Sequence, residues 1–341
     1  MKILHIGPKN YPPAHGGVEK VVYDIVSGLE EVESHVLVEW DQKEEENIKI
    51  LPKGYFKQLK FINEYSKQKN ISVLHFHKEL FVLQAILARL LGFKTVVTIH
   101  GCPWRVKKWS IIYRFIFYLV DIMACAFVNE VVFVSKRDWK HFSRLFFWKK
   151  INFIPNGIKT TDQICSNDSN ECVFIGRVSI EKNVLELIEI FKNNEKELTI
   201  YGPLDNHNKK YGQKVIDEIQ QNKNIKYGGV LPFSKVLTTL QEYNTFYNLS
   251  SSEGMPVAVL EAASLGMNLV LSDIPQHRDL EFKDVEYLDL KKLNKQVPPA
   301  FNSLSISNKN HTIKQYEIKE TVSQYKKLYC KLSQQKKKSR L

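Results

Sequence analysis

The sequence has few cysteines and no pattern that would join them. Its five cysteines are scattered, odd in number and free of CxxC pairs. A disulfide framework needs an even, closely spaced set, and a structural zinc site needs paired thiols. The distribution argues against both classes and predicts reduced thiols in a cytosolic enzyme. The five positions are Cys102, Cys125, Cys165, Cys172 and Cys330.

A long uncharged apolar run is also missing. The amino terminus, MKILHIGPKNYPP, has no charged segment followed by an apolar stretch, so it predicts neither a secretory signal nor an anchor there. Residues 111–128 approach the length of a membrane span but include Arg114 and Asp121. Because such charges disfavour spanning, we expect a buried or interfacial helix.

The dinucleotide-binding fingerprint is the third absence. No G-x-G-x-x-G follows the first apolar strand, which weakens a dehydrogenase interpretation. The pair Gly16-Gly17 stands in that loop instead, just before a helical pattern. Glycines let backbone amides approach a phosphate closely, although an isolated pair is also common in ordinary loops.

Length and composition indicate two α/β domains. A chain of 341 residues with 43% hydrophobic residues exceeds the usual size of a single core. Short apolar runs alternate with helical stretches, which predicts parallel sheets with helices on both faces. The expected strands are 3–6, 35–40, 73–76, 95–99, 131–135 and 151–154, then 172–175, 198–201, 225–227, 245–249 and 269–271.

The two predicted domains meet near Pro155-Asn156-Gly157. We place the first domain at 1–157, the second at 158–310, and a C-terminal amphipathic helix with a basic tail at 311–341. Ligands of such sheets bind at the carboxyl ends of the strands. The binding site is therefore expected in a cleft between the two domains.

Two glutamates with seven residues between them, Glu253 and Glu261, form an E-x7-E pattern. Pro256 suits the first turn of a helix, so Glu253 falls in the preceding loop and Glu261 about one turn inside the helix. A helix N-terminus attracts phosphate, and acids beside it accept hydrogen bonds from sugar and ribose hydroxyls. The pattern favours a binding site for a phosphorylated sugar. The simpler alternative is a capped surface helix whose acids are solvated.

Several polar residues follow predicted strands. His100 closes one strand, Arg177 follows another, and Lys182 comes five residues later. Arginine holds a diphosphate bidentately and lysine acts as a point charge, so this pair predicts an anion site. His75 and His77 end a further strand on one face. Because no third ligand is evident near them, we interpret these histidines as packing or hydrogen-bonding residues rather than metal ligands.

Together these motifs resemble glycosyltransferase family 4, whose members are retaining enzymes that use nucleotide-sugars. The resemblance implies the GT-B fold, in which two Rossmann-like domains face each other across a cleft and the final helix crosses back to the first domain. The matching motifs are Gly16-Gly17, His100-Gly101, Pro155-Asn156-Gly157, Gly176-Arg177 with Lys182, and the stretch SSSEGMPVAVLEAASLGMNLVLS from Ser250 to Ser272.

The same resemblance implies roles for individual side chains. His100 would contact the transferred sugar, and Arg177 and Lys182 would bind the donor diphosphate and stabilise the departing nucleotide. Glu253 would bind sugar hydroxyls and Glu261 the ribose. We expect His100, Glu253, Arg177 and Lys182 to be the catalytic residues. The implied donor site also includes Gly16, Gly17, Asn156, Gly202, Gly254, Met255 and Pro256.

Two loops depart from the family pattern. Only Gly202 remains of an expected Gly-x-Gly, and Asp273-Ile274-Pro275-Gln276 replaces a Gly-Gly after Ser272. The nucleobase is therefore not readable from a motif; UDP is favoured as the commoner family donor, and an N-acetylhexosamine is the sugar we suggest. We expect no metal or other cofactor, since two cations serve the diphosphate and no Asp-x-Asp pair is suitably placed.

The net charge of +12 predicts an acidic partner. Basic and aromatic residues together suit an anionic lipid surface, whereas nucleic acid is disfavoured because no recognisable module accompanies the charge. A solvated basic face is the simpler alternative. The residues are Lys107, Lys108, Arg114, Lys136, Arg137, Lys140, Arg144, Lys149 and Lys150, with Trp104, Trp109, Trp139 and Trp148, and the tail Lys336-Lys337-Lys338-Ser339-Arg340.

The sequence thus predicts a retaining, metal-independent glycosyltransferase, cytoplasmic and peripheral on the inner face of the cell membrane. Its expected partners are a nucleotide-sugar, an anionic membrane and a lipid-linked saccharide acceptor of bacterial O-antigen or another surface polysaccharide. Three alternatives stay open: a nucleotide-sugar 2-epimerase or a phosphorylase on the same fold, and a non-catalytic lipid- or nucleic-acid-binding protein.

Overall fold

The computed structural model describes most of the chain. The described residues are 1–13, 16–40, 42–106, 109–160, 171–192, 196–206, 208–283, 285–292 and 313–338, the last four by their backbone only. Lys107, Lys108 and the tail side chains from Lys336 onward, which we assigned to the basic surface, lie outside the part whose side chains are described. Among the described residues, Cys102, Cys125, Cys172 and Cys330 form no disulfide bond, and Cys165 lies outside the described residues.

The chain divides into two compact units. Unit 1 comprises Met1–Gly157 and Ile318–Leu341, and unit 2 comprises Ile158–Glu317. The predicted C-terminal segment 311–341 is therefore split between them: Ile313–Tyr316 forms a short 3-10 helix within unit 2, and the long helix that follows belongs to unit 1.

Unit 1 contains a seven-stranded parallel sheet in the order β3-β2-β1-β4-β5-β6-β7. The strands are β1 Lys2–Ile6, β2 Glu33–Val38, β3 Ile48–Ile50, β4 Val73–Phe76, β5 Lys94–Ile99, β6 Glu130–Phe133 and β7 Asn152–Phe153. The helices are α1 Gly17–Gly28, α2 Tyr55–Gln68, α3 Val82–Leu90, α4 Ile111–Phe127, α5 Lys136–Leu145 and α11 Ile318–Lys338.

Unit 2 contains a six-stranded parallel sheet in the order β10-β9-β8-β11-β12-β13. The strands are β8 Glu171–Ile175, β9 Glu197–Tyr201, β10 Ile225–Gly229, β11 Thr245–Asn248, β12 Asn268–Ser272 and β13 Val285–Leu288. The helices are α6 Val184–Phe191, α7 Lys209–Gln220, α8 Phe233–Leu240, α9 Val257–Ser264 and α10 Pro275–Arg278.

Both sheets reverse their strand order at the first strand of the unit. In unit 1, β1 lies between β2 and β4, and in unit 2, β8 lies between β9 and β11. Helices run on either side of such a reversal and leave the loops at the carboxyl edge open to a ligand. The loop after β1 carries Gly16, and the loops after β8 and β11 carry Arg177 and Glu253.

The central strands are buried on both faces, as their apolar sequences predict. All side chains of β4, β6 and β12 are buried, and each sheet is covered by apolar helix residues. The α/β class with two parallel sheets is confirmed. All eleven expected strands are present, with ends shifted by one or two residues in most cases.

Two strands were missed in the sequence. β3 has only three residues and follows the polar run DQKEEEN, so it presents no apolar pattern of its own. β13, VEYL, alternates apolar and polar residues at the sheet edge and is not among the predicted strands. Edge strands are covered on fewer sides than central ones, and their apolar signal is correspondingly weaker.

Helix α11 packs on unit 1 through a stripe of apolar residues and two tyrosines. Val322, Leu328 and Leu332 are buried, and Val322 lies against Gly28 at the end of α1. Tyr325 and Tyr329 are almost completely buried and reach polar groups on the sheet. The predicted amphipathic stripe is therefore real and covers one face of the first sheet.

Candidate active site

The loop after β1 presents the start of α1. Gly16 has φ +111°, and a Cβ built on it would lie 2.2 Å from Glu19 Oε2, so this position favours glycine. Gly17 is the first residue of α1, and a Cβ there would meet no atom of the described residues within 4 Å. Packing against the described residues therefore does not require a glycine at position 17. Space beside it leaves room for a ligand at the N-terminus of a twelve-residue helix.

His100 follows β5 at the carboxyl edge of the same sheet. Burial, with a smaller contribution from the positive charge of Lys78, lowers the pKa of His100 to about 3. Its ring is stacked on His77 with a centroid distance of 5.8 Å, and Nε2 has no hydrogen-bond partner among the described residues. His100 is therefore a neutral imidazole that can donate a hydrogen bond to a substrate hydroxyl or accept one from it.

Beneath His100 lies a cluster of three completely buried histidines, His5, His75 and His77. His5 on β1 is in register with His75 on β4, and His5 Nδ1 lies 3.0 Å from His77 Nε2. The prediction that no third possible ligand lies near His75 and His77 is wrong. One ring nitrogen from each of His5, His75 and His77 lies within 4.8 Å of the other two. Pairing of β1 with β4 supplies the third ring, and the local spacing of His75 and His77 could not show it.

The hydrogen bonds of this cluster are consistent with a structural role. His75 Nδ1 lies 2.6 Å from the Tyr329 hydroxyl, and His75 Nε2 lies 2.7 Å from Thr98 Oγ1. Thr98 Oγ1 is 3.0 Å from the Tyr325 hydroxyl. Imidazole nitrogens suit a transition metal, but both nitrogens of His75 already bind hydroxyls. The network instead ties α11 to β4 and β5.

In unit 2, the loops after β8 and β9 touch at two glycines. Gly202 has φ +138°, and a Cβ on it would lie 1.8 Å from the carbonyl oxygen of Gly176. No side chain fits at that distance, so Gly202 is fixed by close backbone contact. The contact holds the turn in which Arg177 follows β8, and the Arg177 side chain is exposed.

Lys182 and Glu253 form an ion pair. Lys182 ends the 3-10 helix Ile180–Lys182 after β8, and Glu253 lies in the loop after β11. Lys182 Nζ donates a hydrogen bond to Glu253 Oε1, and the two side chains are 22% and 10% exposed. The pair is thus partly shielded from water, which strengthens the attraction between the two charges.

Glu253 is held by two further side chains. Ser250 Oγ donates to Glu253 Oε1 at 2.6 Å, and Asn248 Nδ2 lies 3.4 Å from the same oxygen. Burial alone would raise the pKa of Glu253, but the positive charge of Lys182, then the electrostatic effect of His277 and the hydrogen bonds from Lys182 and Ser250, bring it below its usual range. Glu253 is therefore an ionised carboxylate that can accept hydrogen bonds from sugar hydroxyls.

A buried histidine adjoins this group. His277 on α10 is completely buried, and its Nδ1 donates to the carbonyl oxygen of Ser272 at 2.9 Å. Ser272 Oγ donates to the carbonyl oxygen of Ser250 at 2.5 Å, which links the ends of β11 and β12. Burial first, and the nearby Lys182, lower the pKa of His277 although Glu253 opposes this. His277 is therefore a neutral neighbour of the Lys182–Glu253 pair.

Asn248, Ser250 and His277 were not predicted as site residues. Asn248 ends a buried strand and Ser250 follows two residues later, so polar residues at this strand end were the available signal. His277 directly follows Asp273-Ile274-Pro275-Gln276, the segment that departs from the expected glycine pair. Its burial behind β12 depends on the tertiary fold.

The E-x7-E segment adopts the predicted geometry. Pro256 is the N-cap residue of α9, and Glu261 is buried about one turn inside this eight-residue helix. Gly254 and Met255 lie between Glu253 and the helix and are partly exposed. Asn156 is buried at the end of unit 1, and the structure therefore places it, with Gly16, Gly17 and His100, in unit 1. The remaining predicted site residues are in unit 2.

Two family models match the chain in succession. The model described as Glycosyltransferase Family 4 matches residues 15–162, and the model described as Glycosyl transferases group 1 matches residues 161–285. The first includes the glycine pair and His100, and the second includes Arg177, Lys182 and both glutamates. The chain belongs to glycosyltransferase family 4.

Relatives of this glycosyltransferase are distant in sequence. It is 22% identical over 302 residues to GDP-mannose:cellobiosyl-diphosphopolyprenol alpha-mannosyltransferase of Xanthomonas campestris, covering 81% of this chain and 79% of that one. It is 24% identical over 301 residues to UDP-Gal:alpha-D-GlcNAc-diphosphoundecaprenol alpha-1,3-galactosyltransferase of Escherichia coli, covering 77% and 76% of the two chains.

Solved structures show the fold of the glycosyltransferase. Sucrose-phosphate synthase from Thermosynechococcus elongatus superimposes with a TM-score of 0.81 and 14% identity, covering 97% of this chain and 98% of that one. The GT-B fold class expected from the motifs is confirmed. At this identity the similarity informs the fold and not the substrates.

Proposed function

We propose that the enzyme transfers a sugar from a nucleotide-sugar to a lipid-linked saccharide, with retention of configuration and without a metal ion. The observation that carries the proposal is the Lys182–Glu253 pair, together with the exposed Arg177 that follows β8 in the same unit, at the edge where ligands of such a sheet bind. This arrangement offers cations for a diphosphate and a carboxylate for sugar hydroxyls within one unit.

The proposed roles follow from the chemistry of each group. Arg177 and Lys182 take up negative charge as the nucleoside diphosphate leaves, and Glu253 orients the sugar through its hydroxyls. Glu261 binds the ribose, and the neutral His100 contacts the transferred sugar. None of these groups acts as a covalent nucleophile. The acceptor hydroxyl attacks from the face that the diphosphate leaves, and the departing diphosphate accepts its proton.

Metal independence is proposed on the basis of fixed positive charge. A metal ion in other transferases neutralises the leaving diphosphate. Here two side-chain cations, Arg177 and Lys182, are available for the same purpose. Activity should therefore persist in the presence of a chelator.

The substrates are proposed from the two enzyme relatives. The names of both relatives specify an acceptor carried on a polyprenyl diphosphate, and the names specify GDP-mannose in one case and UDP-galactose in the other. We propose a UDP-linked donor, with an N-acetylhexosamine as the sugar to test first. The product would serve O-antigen or another bacterial surface polysaccharide, and the enzyme would work at the cytoplasmic face of the membrane.

A ligand panel followed by turnover tests this proposal. Thermal shifts with UDP-, GDP- and ADP-sugars identify the donor, because a ligand that binds only the folded protein raises its melting temperature. The donor is then incubated with a polyprenyl-diphosphate saccharide in chelator, and the anomeric configuration of the product is determined by NMR. Inversion, dependence on a metal, or transfer to free sugars alone would contradict the corresponding part.

Two variants separate the roles of the glutamates. Glu261→Ala should weaken donor binding measured by calorimetry, and Glu253→Ala should mainly lower turnover. Unchanged donor affinity in Glu261→Ala would overturn the ribose assignment. Formation of a 2-epimer without acceptor, or dependence on inorganic phosphate, would instead identify an epimerase or a phosphorylase.

A further inference from the structure

Helix α4 of unit 1 turns an apolar face outward. Its seventeen residues include large apolar side chains that are between 41% exposed, at Leu119, and 73% exposed, at Ile111. Their spacing of three, four and one residues places most of them on one stripe of the helix. Contiguous apolar exposure of this kind marks a binding surface rather than ordinary protein surface. The face consists of Ile111, Ile112, Phe115, Ile116, Leu119 and Phe127.

Three polar residues of α4, Arg114, Tyr118 and Asp121, form hydrogen bonds within the protein. Arg114 Nε donates to the Trp104 carbonyl oxygen at 2.6 Å, and Asp121 Oδ2 accepts from Trp104 Nε1 at 2.9 Å. Tyr118 contacts His141 Nε2 at 3.0 Å through its hydroxyl. Both charges that argued against a membrane span thus lie away from the exposed stripe. The helix is held in place by its polar side, and its apolar side is left without protein cover among the described residues.

Neighbouring segments extend the apolar face at the C-terminal end of α4. Arg89 Nη1 donates to the Phe127 carbonyl oxygen at 2.7 Å, and Lys149 Nζ donates to the carbonyl oxygens of Cys125 and Val128 at 2.6 Å each. These bonds bring the ends of α3 and α5 to this helix end. The large exposed residues beside them are Leu90, Leu91, Phe147 and Trp148.

The charge around this face has one sign. Residues 80–150 contain twelve Lys or Arg and three acids. All three acids, Asp121, Glu130 and Asp138, are buried and hydrogen-bonded within the protein. Exposed charges of this region are therefore basic, and among them are Arg137, Lys140, Arg144 and Lys150.

We propose that the outer face of α4 inserts into the headgroup and upper acyl region of an anionic bilayer, with the helix axis in the membrane plane. An apolar stripe flanked by basic residues and by tryptophans is the combination that lies at such an interface. The proposed insertion itself does not depend on the proposed function. Only its biological role rests on that function, since insertion would bring the enzyme to a lipid-linked acceptor. A helix whose polar side is bound to the protein cannot cross the bilayer alone. Among the described residues, no helix is both long and apolar enough to span it.

Insertion and pure electrostatic attraction respond differently to salt. Each basic residue near an anionic surface contributes about 1 kcal/mol at low salt, and this contribution is screened as ionic strength rises. Burial of apolar surface is not screened. Wild-type protein should therefore keep part of its vesicle binding at high salt, which the basic surface alone would not provide.

Vesicle flotation with matched variants tests the proposal. The vesicles contain phosphatidylglycerol and phosphatidylethanolamine, and salt is set at about 0.05 M and about 1 M to vary screening. The variant Ile112→Glu with Phe115→Glu should bind about tenfold or more weakly at both salt concentrations, because two glutamates on the apolar face oppose insertion. The control Phe56→Glu replaces an 82% exposed residue on α2 and should float like wild type.

Depth of insertion has its own readout. Trp148 is 69% exposed beside the apolar face. Lipids brominated near the headgroup should quench tryptophan fluorescence of wild type, and Trp148→Phe should lose a large share of that quenching. Equal quenching in Trp148→Phe and wild type would contradict contact at this end of α4.

Several outcomes would overturn the inference. Equal flotation of the double glutamate variant and the wild type would do so. Complete release of the wild type from the vesicles at high salt would also do so, because that is the behaviour expected of purely electrostatic binding. If the face instead covers a second copy of the chain, analytical ultracentrifugation would show a dimer that becomes a monomer in the variant, with no change in flotation.

An acceptor comparison separates this inference from the proposed function. The double variant should retain turnover with a short-chain, water-soluble polyprenyl-diphosphate acceptor and lose it with an acceptor embedded in vesicles. No turnover of either acceptor by wild type would contradict the proposed function while leaving the flotation result interpretable.

Discussion

Lys182 and Glu253 are 71 positions apart in the chain and share a charge-assisted hydrogen bond in unit 2. The pair joins the loops after β8 and β11, which follow adjacent strands of the sheet. Glu253 is 10% exposed, so loss of Lys182 would leave a carboxylate in a largely dry environment. The lysine proposed to bind the diphosphate therefore also stabilises the empty site.

Replacing Lys182 should separate these two effects. Lys182→Met is expected to lower kcat/KM by about 2–4 kcal/mol of transition-state stabilisation and to lower the melting temperature. Combining it with Glu253→Gln removes the unpaired charge, so the melting temperature should recover while activity stays low. Arg177→Met, at an exposed position, should lower activity without changing stability. Wild-type activity in both single variants would contradict the diphosphate site.

Ser250 should matter through Glu253. Its hydroxyl donates to Glu253 at 2.6 Å, whereas the neighbouring Ser251 is exposed and bonds to the Glu181 carbonyl oxygen. Ser250→Ala removes one hydrogen bond that favours the ionised carboxylate. Because that bond is charge-assisted, its loss should lower the free energy of unfolding by about 1–3 kcal/mol. The acid limb of the kcat profile should move to higher pH, since the lowered pKa of Glu253 rises toward its ordinary value. Ser251→Ala is the matched control, and an identical shift in both variants would refute this role.

The buried histidines should make unit 1 sensitive to acid. Burial lowers the pKa of His5 to about 3 and those of His75 and His77 well below 6.5. Their folded forms stay neutral while the unfolded chain takes up protons below about pH 6.5. Stability is therefore present above that pH and is lost as pH falls toward the folded-state values, by about 1.4 kcal/mol per pH unit for each histidine.

Tryptophan fluorescence can measure this loss in unit 1 alone. All five tryptophans, Trp40, Trp104, Trp109, Trp139 and Trp148, lie in residues 1–157. Urea unfolding followed by this signal between pH 6 and 5 should give a smaller slope of stability against pH in His5→Phe with His77→Phe than in wild type. Comparing slopes avoids any confusion with a general loss of stability. Equal slopes would show that these rings are not the groups responsible.

Two glycines should respond differently to alanine. A Cβ on Gly202 would lie 1.8 Å from the Gly176 carbonyl oxygen, so Gly202→Ala should lower the melting temperature markedly. In the part of the chain that the structure describes, a Cβ on Gly17 meets no atom within 4 Å, so Gly17→Ala should leave stability nearly unchanged. If a ligand approaches Gly17 as proposed, the same variant should lose activity. Full activity in folded Gly17→Ala would contradict that approach.

Much of the fold could be predicted from local patterns. Central strands such as β4, β6 and β12 are mostly apolar because both of their faces are covered, and such a run of consecutive apolar residues can be recognised in the sequence. The helix start at Pro256 is similarly local. Strands β3 and β13 were missed because short edge strands need little apolar sequence.

Contacts between distant segments were beyond such patterns. Glu253 and Lys182 were each assigned to a donor site, but their pairing depends on the adjacency of β8 and β11. His5 joins His75 only through the register of β1 with β4. For α4, the sequence showed that Arg114 and Asp121 are present but not that both turn toward Trp104. The direction of a side chain is a tertiary property.

Helix α11 has a consequence for the order of folding during synthesis. It follows unit 2 in the chain but completes unit 1, where Tyr329 and Tyr325 supply partners for His75 and Thr98. Until these tyrosines leave the ribosome, the buried polar groups of β4 and β5 lack those partners and one face of the sheet lacks its apolar cover. Unit 2 is continuous in sequence, so its folding does not depend on a segment that is synthesised later. We therefore expect the second unit to reach its native structure while the first is still incomplete, the reverse of the usual N-terminal-first order.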